Sequence, residues 1–395
     1  MKRSPSNGTA LGRLSIAAVG LTWLAAGCGE QPDTVEIKQG EVITWTNLTL
    51  MNNWQNYWGT SNPPAVALIN GIVTFRGALK NTNPTGNIAF VLPPAMAPQY
   101  ANNMVMEATL SNNVGGALLA VYKDPPPGVA AGSVYVFQDG IYPNLGNEAK
   151  TFTSLDGVSY DKDGGTVIGP PGTDWVSMYG YRQNMPNSGC TTNDCGVYVR
   201  LTSDGFIRFK GALTNLQGSG NSDFFLGTLP SSQYIPGQNV TIPVSVGGLD
   251  PAQSWSALTI YSTGEVFVNG NYPSASAMTS FEGASFSKTN NGNVNIPLSN
   301  GWHAFSARTV KIGKYGDVVR LQGGISGGTS ATICSATNPL PATYRPPKTV
   351  RIVSAANGPV PATIVISPSG VMTFEGPPVN VASVFLSLDG VSYAW

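Results

Sequence analysis

The chain has 395 residues, and only 11% of them are charged, whereas glycine (47) and proline (30) are abundant. The 21 basic and 21 acidic residues balance, and no basic run is longer than a pair, which argues against a nucleic-acid partner. This composition is typical of an all-β protein with many turns that works outside the cytoplasm.

Residues 1–27 have the pattern of a bacterial lipoprotein signal peptide. Basic residues precede an apolar run, residues 14–26, that is too short to span a bilayer. The run ends in Leu-Ala-Ala-Gly-Cys28, which resembles a lipobox. An ordinary secretory signal with a chance cysteine is the alternative interpretation.

The lipobox resemblance implies three acyl chains on Cys28, enough to anchor the protein stably in a lipid bilayer. Gly29 follows, in place of the aspartate that retains many such proteins at the inner membrane. The expected location is therefore the outer membrane or cell surface, with residues 28–43 as a tether. No later segment is apolar for long enough to span a membrane.

Three stretches repeat nearly the same residues: 153–160 (TSLDGVSY), 279–286 (TSFEGASF) and 386–393 (LSLDGVSY). Such self-similarity indicates one structural unit used three times. The predicted modules are 44–160, 173–287 and 300–395, joined by linkers rich in glycine and asparagine. Since the acid of the block recurs in every unit, it is predicted to serve a turn and not catalysis; these acids are Asp156, Glu282 and Asp389.

Each unit contains the same series of predicted elements. A tryptophan comes first, and Trp54, Trp175 and Trp302 align best. An alternating strand then ends at a glycine, which predicts a bend, in residues 71–79, 205–213 and 317–325. A Leu-Pro pair, a hairpin and the closing Asp-Gly or Glu-Gly block follow. The series predicts an antiparallel, jelly-roll-like β-sandwich in each module.

The order of these blocks in the third unit resembles the β-sandwich modules at the C-terminal ends of phage tail fibres and related receptor-binding proteins. The residues that carry the resemblance are Trp302, VRLQG (319–323), LPATYRPP (340–347), ISPSG (366–370) and LSLDGVSY (386–393). It implies a binding module that often trimerises and contributes no catalytic residues. Three copies in one chain suggest a trimer formed within the chain.

The sequence offers little for catalysis. Its single histidine, His303, lacks the partners of a nucleophilic triad, and no ligand set for zinc occurs, so neither a metal site nor a cofactor is expected. A disulfide between Cys190 and Cys195 is expected after export. Cys334, in an apolar stretch, is expected to be a buried and unreactive thiol.

Two unrepeated groups of side chains are the candidate ligand-binding residues: Tyr57 with Trp58, and Tyr179 with Tyr181 and Arg182. Aromatic rings beside amides suit stacking on sugars, although packing within the fold explains the same composition. The expected function is non-catalytic recognition or adhesion, with glycan or another envelope component as ligand. The alternatives are a structural envelope lipoprotein that binds protein partners and, third, an enzyme acting on polysaccharide.

Overall fold

The computed structural model describes residues 43–81, 86–98, 103–110, 116–122, 127–138, 151–162, 176–177, 197–202, 205–213, 223–246, 255–269, 279–288, 294–305, 309–357, 360–376 and 381–394. They belong to one compact unit, Glu36–Trp395, and consist mainly of antiparallel strands with short 3₁₀ turns. The all-β prediction is confirmed. Cys28, Tyr179, Tyr181, Arg182, Cys190 and Cys195 lie outside the described residues.

The strands form three pairs of sheets, called here modules 1, 2 and 3. The strands of module 1 are β1 (Thr46–Asn47), β2 (Gln55–Asn56), β3 (Ala65–Ile69), β4 (Ile72–Arg76), β5 (Ala78–Lys80), β6 (Ile88–Val91), β7 (Asn103–Leu110), β8 (Gly116–Tyr122), β9 (Ser133–Gln138), β10 (Thr153–Ser154) and β11 (Ser159–Asp161). Those of module 2 are β12 (Val176–Ser177), β13 (Tyr198–Leu201), β14 (Phe206–Lys210), β15 (Ala212–Leu213), β16 (Asp223–Thr228), β17 (Val240–Val246), β18 (Trp255–Ile260), β19 (Glu265–Asn269), β20 (Thr279–Ser280) and β21 (Ser285–Ser287). Those of module 3 are β22 (Val294–Asn295), β23 (His303–Ala304), β24 (Lys311–Tyr315), β25 (Val318–Gln322), β26 (Gly324–Ser326), β27 (Thr332–Cys334), β28 (Val350–Ala356), β29 (Val360–Ile366), β30 (Met372–Glu375), β31 (Phe385–Ser387) and β32 (Ser392–Ala394).

Each module pairs a small sheet with a large one. The strand orders correspond, except that the described part of the module 2 large sheet has no strand equivalent to β2 and β23. The small sheets have the orders β1-β3-β4-β11, β12-β13-β14-β21 and β22-β24-β25-β32. The large sheets have the orders β2-β5-β10-β7-β8-β9-β6, β15-β20-β17-β18-β19-β16 and β23-β26-β31-β28-β29-β30-β27. Each module has its own apolar core, which agrees with burial of alternate residues along its strands.

The glycine that ends the repeated strand is the point where the chain leaves the small sheet and enters the large one. Gly77, Gly211 and Gly323 all have φ near +100°, a conformation that L side chains rarely adopt. A Cβ atom on Gly77 would also lie 2.9 Å from Cα of Pro64. The predicted bend is therefore confirmed, and its physical basis is a crossing between sheets.

The closing block also crosses between sheets. In module 1, β10 belongs to the large sheet and β11 to the small sheet, so the Asp156-Gly157 turn joins two sheets. The predicted turn is present, and it joins strands of two different sheets. The backbone N–H of Leu155 donates to the carbonyl oxygen of Gly77 over 2.8 Å, which ties the two crossings together.

The first tryptophans require a different alignment. Trp54 and Trp302 are equivalent, since each precedes an edge strand, β2 or β23, that pairs with the strand after the crossing glycine. Trp175, by contrast, immediately precedes β12, which pairs with β13 as β1 pairs with β3. In chain position it therefore corresponds to Trp45. Strand β22 lies within the segment predicted as the second linker and forms the edge of its small sheet.

The three modules contact one another through equivalent elements. Strands β7, β17 and β28 touch pairwise. Strand β10 of module 1 contacts β28 of module 3, β31 of module 3 contacts β17 of module 2, and β20 of module 2 contacts β7 of module 1. The contacts between modules therefore run in a closed cycle.

The glycines of the closing blocks repeat this cycle. A Cβ on Gly157 would lie 3.1 Å from the carbonyl oxygen of Ser392, one on Gly390 3.1 Å from that of Ser285, and one on Gly283 2.6 Å from that of Ser159. Each turn thus packs against the backbone of the next module, and a side chain at these positions would separate the modules.

Candidate functional site

The repeated acids accept hydrogen bonds from the glycines at which the chain crosses between sheets. These are Gly77, Gly211 and Gly323, called here the crossing glycines. Asp156 Oδ1 accepts the backbone N–H of Gly77 over 2.9 Å, and the same bond recurs in the other modules, from Gly211 to Glu282 Oε1 (2.9 Å) and from Gly323 to Asp389 Oδ1 (3.0 Å). Burial raises the pKa of Asp156 to about 7, while the Gly77 and Ser154 hydrogen bonds and Arg76 oppose the shift. Burial likewise raises the pKa of Glu282 to about 7.

Two of these acids line a cleft where the three modules meet. Asp156, Glu282 and the closing-block glycines form part of its wall, together with residues of β17 and β28. Two carboxyl groups beside a cleft resemble the machinery of glycoside cleavage. Here, however, one oxygen of each carboxyl is occupied by a backbone N–H in an arrangement that occurs once per module. We therefore assign the pair to the fold.

The candidate pair Tyr57 and Trp58 lies in a turn directly after β2. Asn56 shapes the turn: its Oδ1 accepts the backbone N–H of Trp58 over 3.0 Å, and its Nδ2 donates to the carbonyl oxygen of Gly59. The N–H of Tyr57 donates to the carbonyl oxygen of Ala78 over 3.0 Å, which fixes the turn to β5. The structure therefore holds both predicted aromatic side chains beside the large sheet of module 1.

Tyr57 is 36% exposed and joins two other rings. Its ring centroid lies 4.9 Å from that of Trp58 and 4.8 Å from that of Phe152, both in edge-to-face geometry. Phe152 is itself buried and precedes β10, the strand that contacts module 3. The three rings thus extend from an exposed turn to the interface between modules 1 and 3. An interface between two modules is called a seam below.

Module 3 contributes an ion pair to the same seam. The Arg351 guanidinium carbon lies 5.8 Å from the centre of the Phe152 ring, within the range of a cation–π contact. Arg351 donates to both carboxylate oxygens of Glu375, and both side chains remain partly exposed. Arg351 and Glu375 are far from Tyr57 in the chain, and no sequence pattern links them to it.

Module 3 carries an equivalent aromatic pair at its seam with module 2. Phe305 and Phe385 occupy the positions of Tyr57 and Phe152, and their ring centroids are 4.7 Å apart. Phe305 is 50% exposed. The hydroxyl of Ser387, on the same short strand as Phe385, donates to the carbonyl oxygen of Thr241 in module 2.

A further aromatic cluster lies on the large sheet of module 2. The Phe267 ring centroid is 5.3 Å from that of Phe225 and 5.5 Å from that of Tyr261, and Phe225 is 50% exposed. The same cross-strand row continues through Thr259 to Thr241. Module 1 has Tyr122 and Tyr135 at positions equivalent to Tyr261 and Phe267, whereas module 3 has Ser367 and Thr373. Comparing outward-facing positions across the modules would have found this cluster from the sequence.

The remaining predicted residues have structural surroundings. His303 is exposed on β23, and its Nδ1 lies 3.1 Å from the carbonyl oxygen of Gly301. Cys334 is fully buried, as predicted, and burial raises the pKa of its thiol to about 12. Within the ranges given above, no group of three His, Cys, Asp or Glu residues is placed to hold a metal ion. The described part of the chain contains no helix long and apolar enough to cross a membrane.

The sheets and seams define an all-β protein built from paired antiparallel sheets. Among solved structures, the crystal structure of the receptor binding protein (gp15) of Listeria phage PSA is similar to it, with 17% identity over 30% of this chain and 64% of that chain and a TM-score of 0.24. The alignment therefore spans less than two thirds of the phage protein. No family model matches the sequence, and no curated protein matches it.

Proposed function

We propose that this chain is a non-catalytic recognition protein that binds glycan at the seam between modules 1 and 3. The observation that carries the proposal is a continuous set of contacts across this seam. The buried Phe152 ring joins Tyr57 and Trp58 of module 1 to the partly exposed Arg351 and Glu375 of module 3. Aromatic rings can stack on a sugar face, while a guanidinium and a carboxylate supply a donor and an acceptor for hydroxyl groups.

A printed array of bacterial polysaccharides, probed with the purified protein, tests this proposal. We expect binding to a small set of related glycans. Failure to bind across a broad array, with protein that remains folded by circular dichroism, would contradict it.

A second candidate function is binding of a protein partner, and the module 2 cluster of Phe225, Tyr261 and Phe267 favours it. This cluster lies on the outer surface of a sheet and exposes large apolar side chains, as protein interfaces do. Replacing Phe225 by serine would weaken such a complex and leave glycan binding unchanged. Loss of glycan binding in this variant would instead make the cluster part of the glycan site.

The proposal includes a lipid anchor at Cys28, outer-membrane or cell-surface placement, and an arrangement of the modules equivalent to a trimer within one chain. The lipobox pattern supports the anchor, and the cyclic contacts between modules support the arrangement. Metabolic labelling with a palmitate analogue should mark the wild-type chain and leave a Cys28→Ser variant unlabelled. Small-angle scattering should give a compact particle, whereas an elongated string of modules would contradict the arrangement.

A further inference from the structure

The seam between modules 1 and 3 differs from the other two seams in its chain connections. Short segments of chain join module 1 to module 2 and module 2 to module 3. Modules 1 and 3 are not consecutive, so only noncovalent contacts can hold this seam closed. The proposed ligand site spans the same seam and needs the two modules at a fixed separation.

The segment that enters module 1 crosses onto module 3 at this seam. The indole Nε1 of Trp45 donates to Asp317 Oδ2 over 3.3 Å, and the guanidinium carbon of Arg76 lies 4.2 Å from the centre of the Trp45 ring. Asp317 also attracts Arg76. Ile43 packs beside Gly316, where a Cβ atom would lie 3.0 Å from Ile43 Cδ1. Trp45, Arg76 and Asp317 are called the clasp below.

When the three modules are aligned on their crossing glycines, the positions equivalent to Arg76 and Asp317 hold different residues. Counted back from those glycines, Asp317 corresponds to Gly71 and Gly205, which have no side chain. Arg76 likewise corresponds to Lys210 in module 2 and to the uncharged Gln322 in module 3. The seams between consecutive modules, called here the linked seams, therefore do not have the clasp residues at the equivalent positions.

The linked seams have other contacts. Arg200 of module 2 pairs with Asp161 of module 1 over 3.2 Å. Arg320 of module 3 lies 3.7 Å from the centre of the Phe206 ring in module 2. The clasp differs from these contacts and lies at the seam that lacks a covalent connection, where Arg351 also lies over the Phe152 ring.

We propose that the clasp keeps the seam between modules 1 and 3 closed and thereby positions Tyr57 and Phe152 against Arg351. The positioning role rests on the proposed function, whereas the closing role does not. The clasp residues are positioning residues, because they affect the proposed site only by controlling the distance between modules 1 and 3.

Thiol labelling at Phe152 tests the closing role without a ligand. In the full chain carrying Phe152→Cys, the rate of N-ethylmaleimide labelling at that residue, read by mass spectrometry, reports how often the seam opens. Adding Trp45→Ala should raise this rate about tenfold, because the indole hydrogen bond and the cation–π contact are both lost. Trp45→Phe keeps a ring over Arg76 and should restore a rate within about threefold of the parent.

The matched control is Phe385→Cys, at the equivalent position beside the linked seam between modules 3 and 2. There, Trp45→Ala should leave the labelling rate unchanged. An unchanged rate in the Phe152→Cys protein would overturn the proposal. An equal increase in both proteins would also overturn it, since that would indicate general loosening of the chain.

The polysaccharide array separates the closing role from the positioning role. If Trp45→Ala opens the seam and loses the binding that the parent chain shows, both roles are supported. If the seam opens and binding persists, the positioning role is overturned. If the parent chain binds no polysaccharide while labelling changes as expected, the proposed function fails and the closing role stands.

Discussion

Replacing Asp156 by asparagine should change how the stability of the protein depends on pH. Burial raises the pKa of Asp156 from 3.8 to about 7. A carboxyl group with a raised pKa holds its proton more tightly in the folded state. Between about pH 4 and 7 the unfolded chain releases this proton, whereas the folded chain keeps it. The part of the free energy of unfolding that depends on Asp156 is therefore highest below about pH 4, falls between about pH 4 and 7, and is constant above about pH 7.

The size of the effect follows from the two pKa values. A shift of about 3 units corresponds to roughly 4 kcal/mol, at about 1.4 kcal/mol for each unit. Asparagine has no proton to release in this range, and its side-chain oxygen can still accept the N–H of Gly77. The free energy of unfolding of Asp156→Asn, minus that of the wild type, should therefore rise by ~4 kcal/mol between pH 4 and pH 8.

Urea denaturation followed by tryptophan fluorescence at a series of pH values measures this difference. Glu265→Gln is the matched control, because Glu265 is exposed on the module 2 hairpin and is not attached to a crossing glycine. The Glu265→Gln series shows how the loss of an exposed carboxyl affects the same measurement. A difference for Asp156→Asn that does not vary with pH would refute the assignment of a buried, proton-binding carboxyl to the sheet crossing.

Three further predictions concern stability and reactivity. Gly77→Ala should destabilise the protein by about 3 kcal/mol in calorimetry, because it combines a positive φ with a contact to Pro64, and a loss below about 1 kcal/mol would contradict the close approach. Tyr393→Phe removes the hydrogen bond from its hydroxyl to the carbonyl oxygen of Tyr344 and should cost ~1–2 kcal/mol in urea denaturation; no loss would mean that water replaces the bond. Cys334 should react with a thiol reagent only after unfolding, as followed by mass spectrometry, and rapid labelling of the folded protein would contradict its burial.

The sequence predicted the all-β class and the bend at the crossing glycine, because both follow from local patterns. Alternating apolar residues define a half-buried strand, and a glycine inside such a strand marks unusual backbone geometry. The Asp-Gly turn was harder to interpret. The same two residues suit a hairpin and a passage between sheets, and the pairing of β10 and β11 with strands of different sheets distinguishes these two structures.

The candidate site was predictable only in part. Tyr57 and Trp58 stood out as aromatic residues beside amides, although Phe305 holds the position of Tyr57 in module 3. Ring contacts link both residues to Phe152. Arg351 and Glu375 could not be found in this way, since their link to Tyr57 exists only through the packing of modules 1 and 3. Trp45 was missed because Trp175 was aligned with Trp54, and the pairing of the first strands corrects that alignment.

Calorimetric titration with the polysaccharide that binds best on the array tests recognition at the seam between modules 1 and 3 most directly. Tyr57→Ala should weaken binding at least tenfold, or by about 1.4 kcal/mol, because the ring that stacks on the sugar is removed. Leu68→Ala, which truncates an exposed apolar side chain on β3, should bind as the wild type does. Equal affinity of the Tyr57→Ala and wild-type proteins would contradict the central claim.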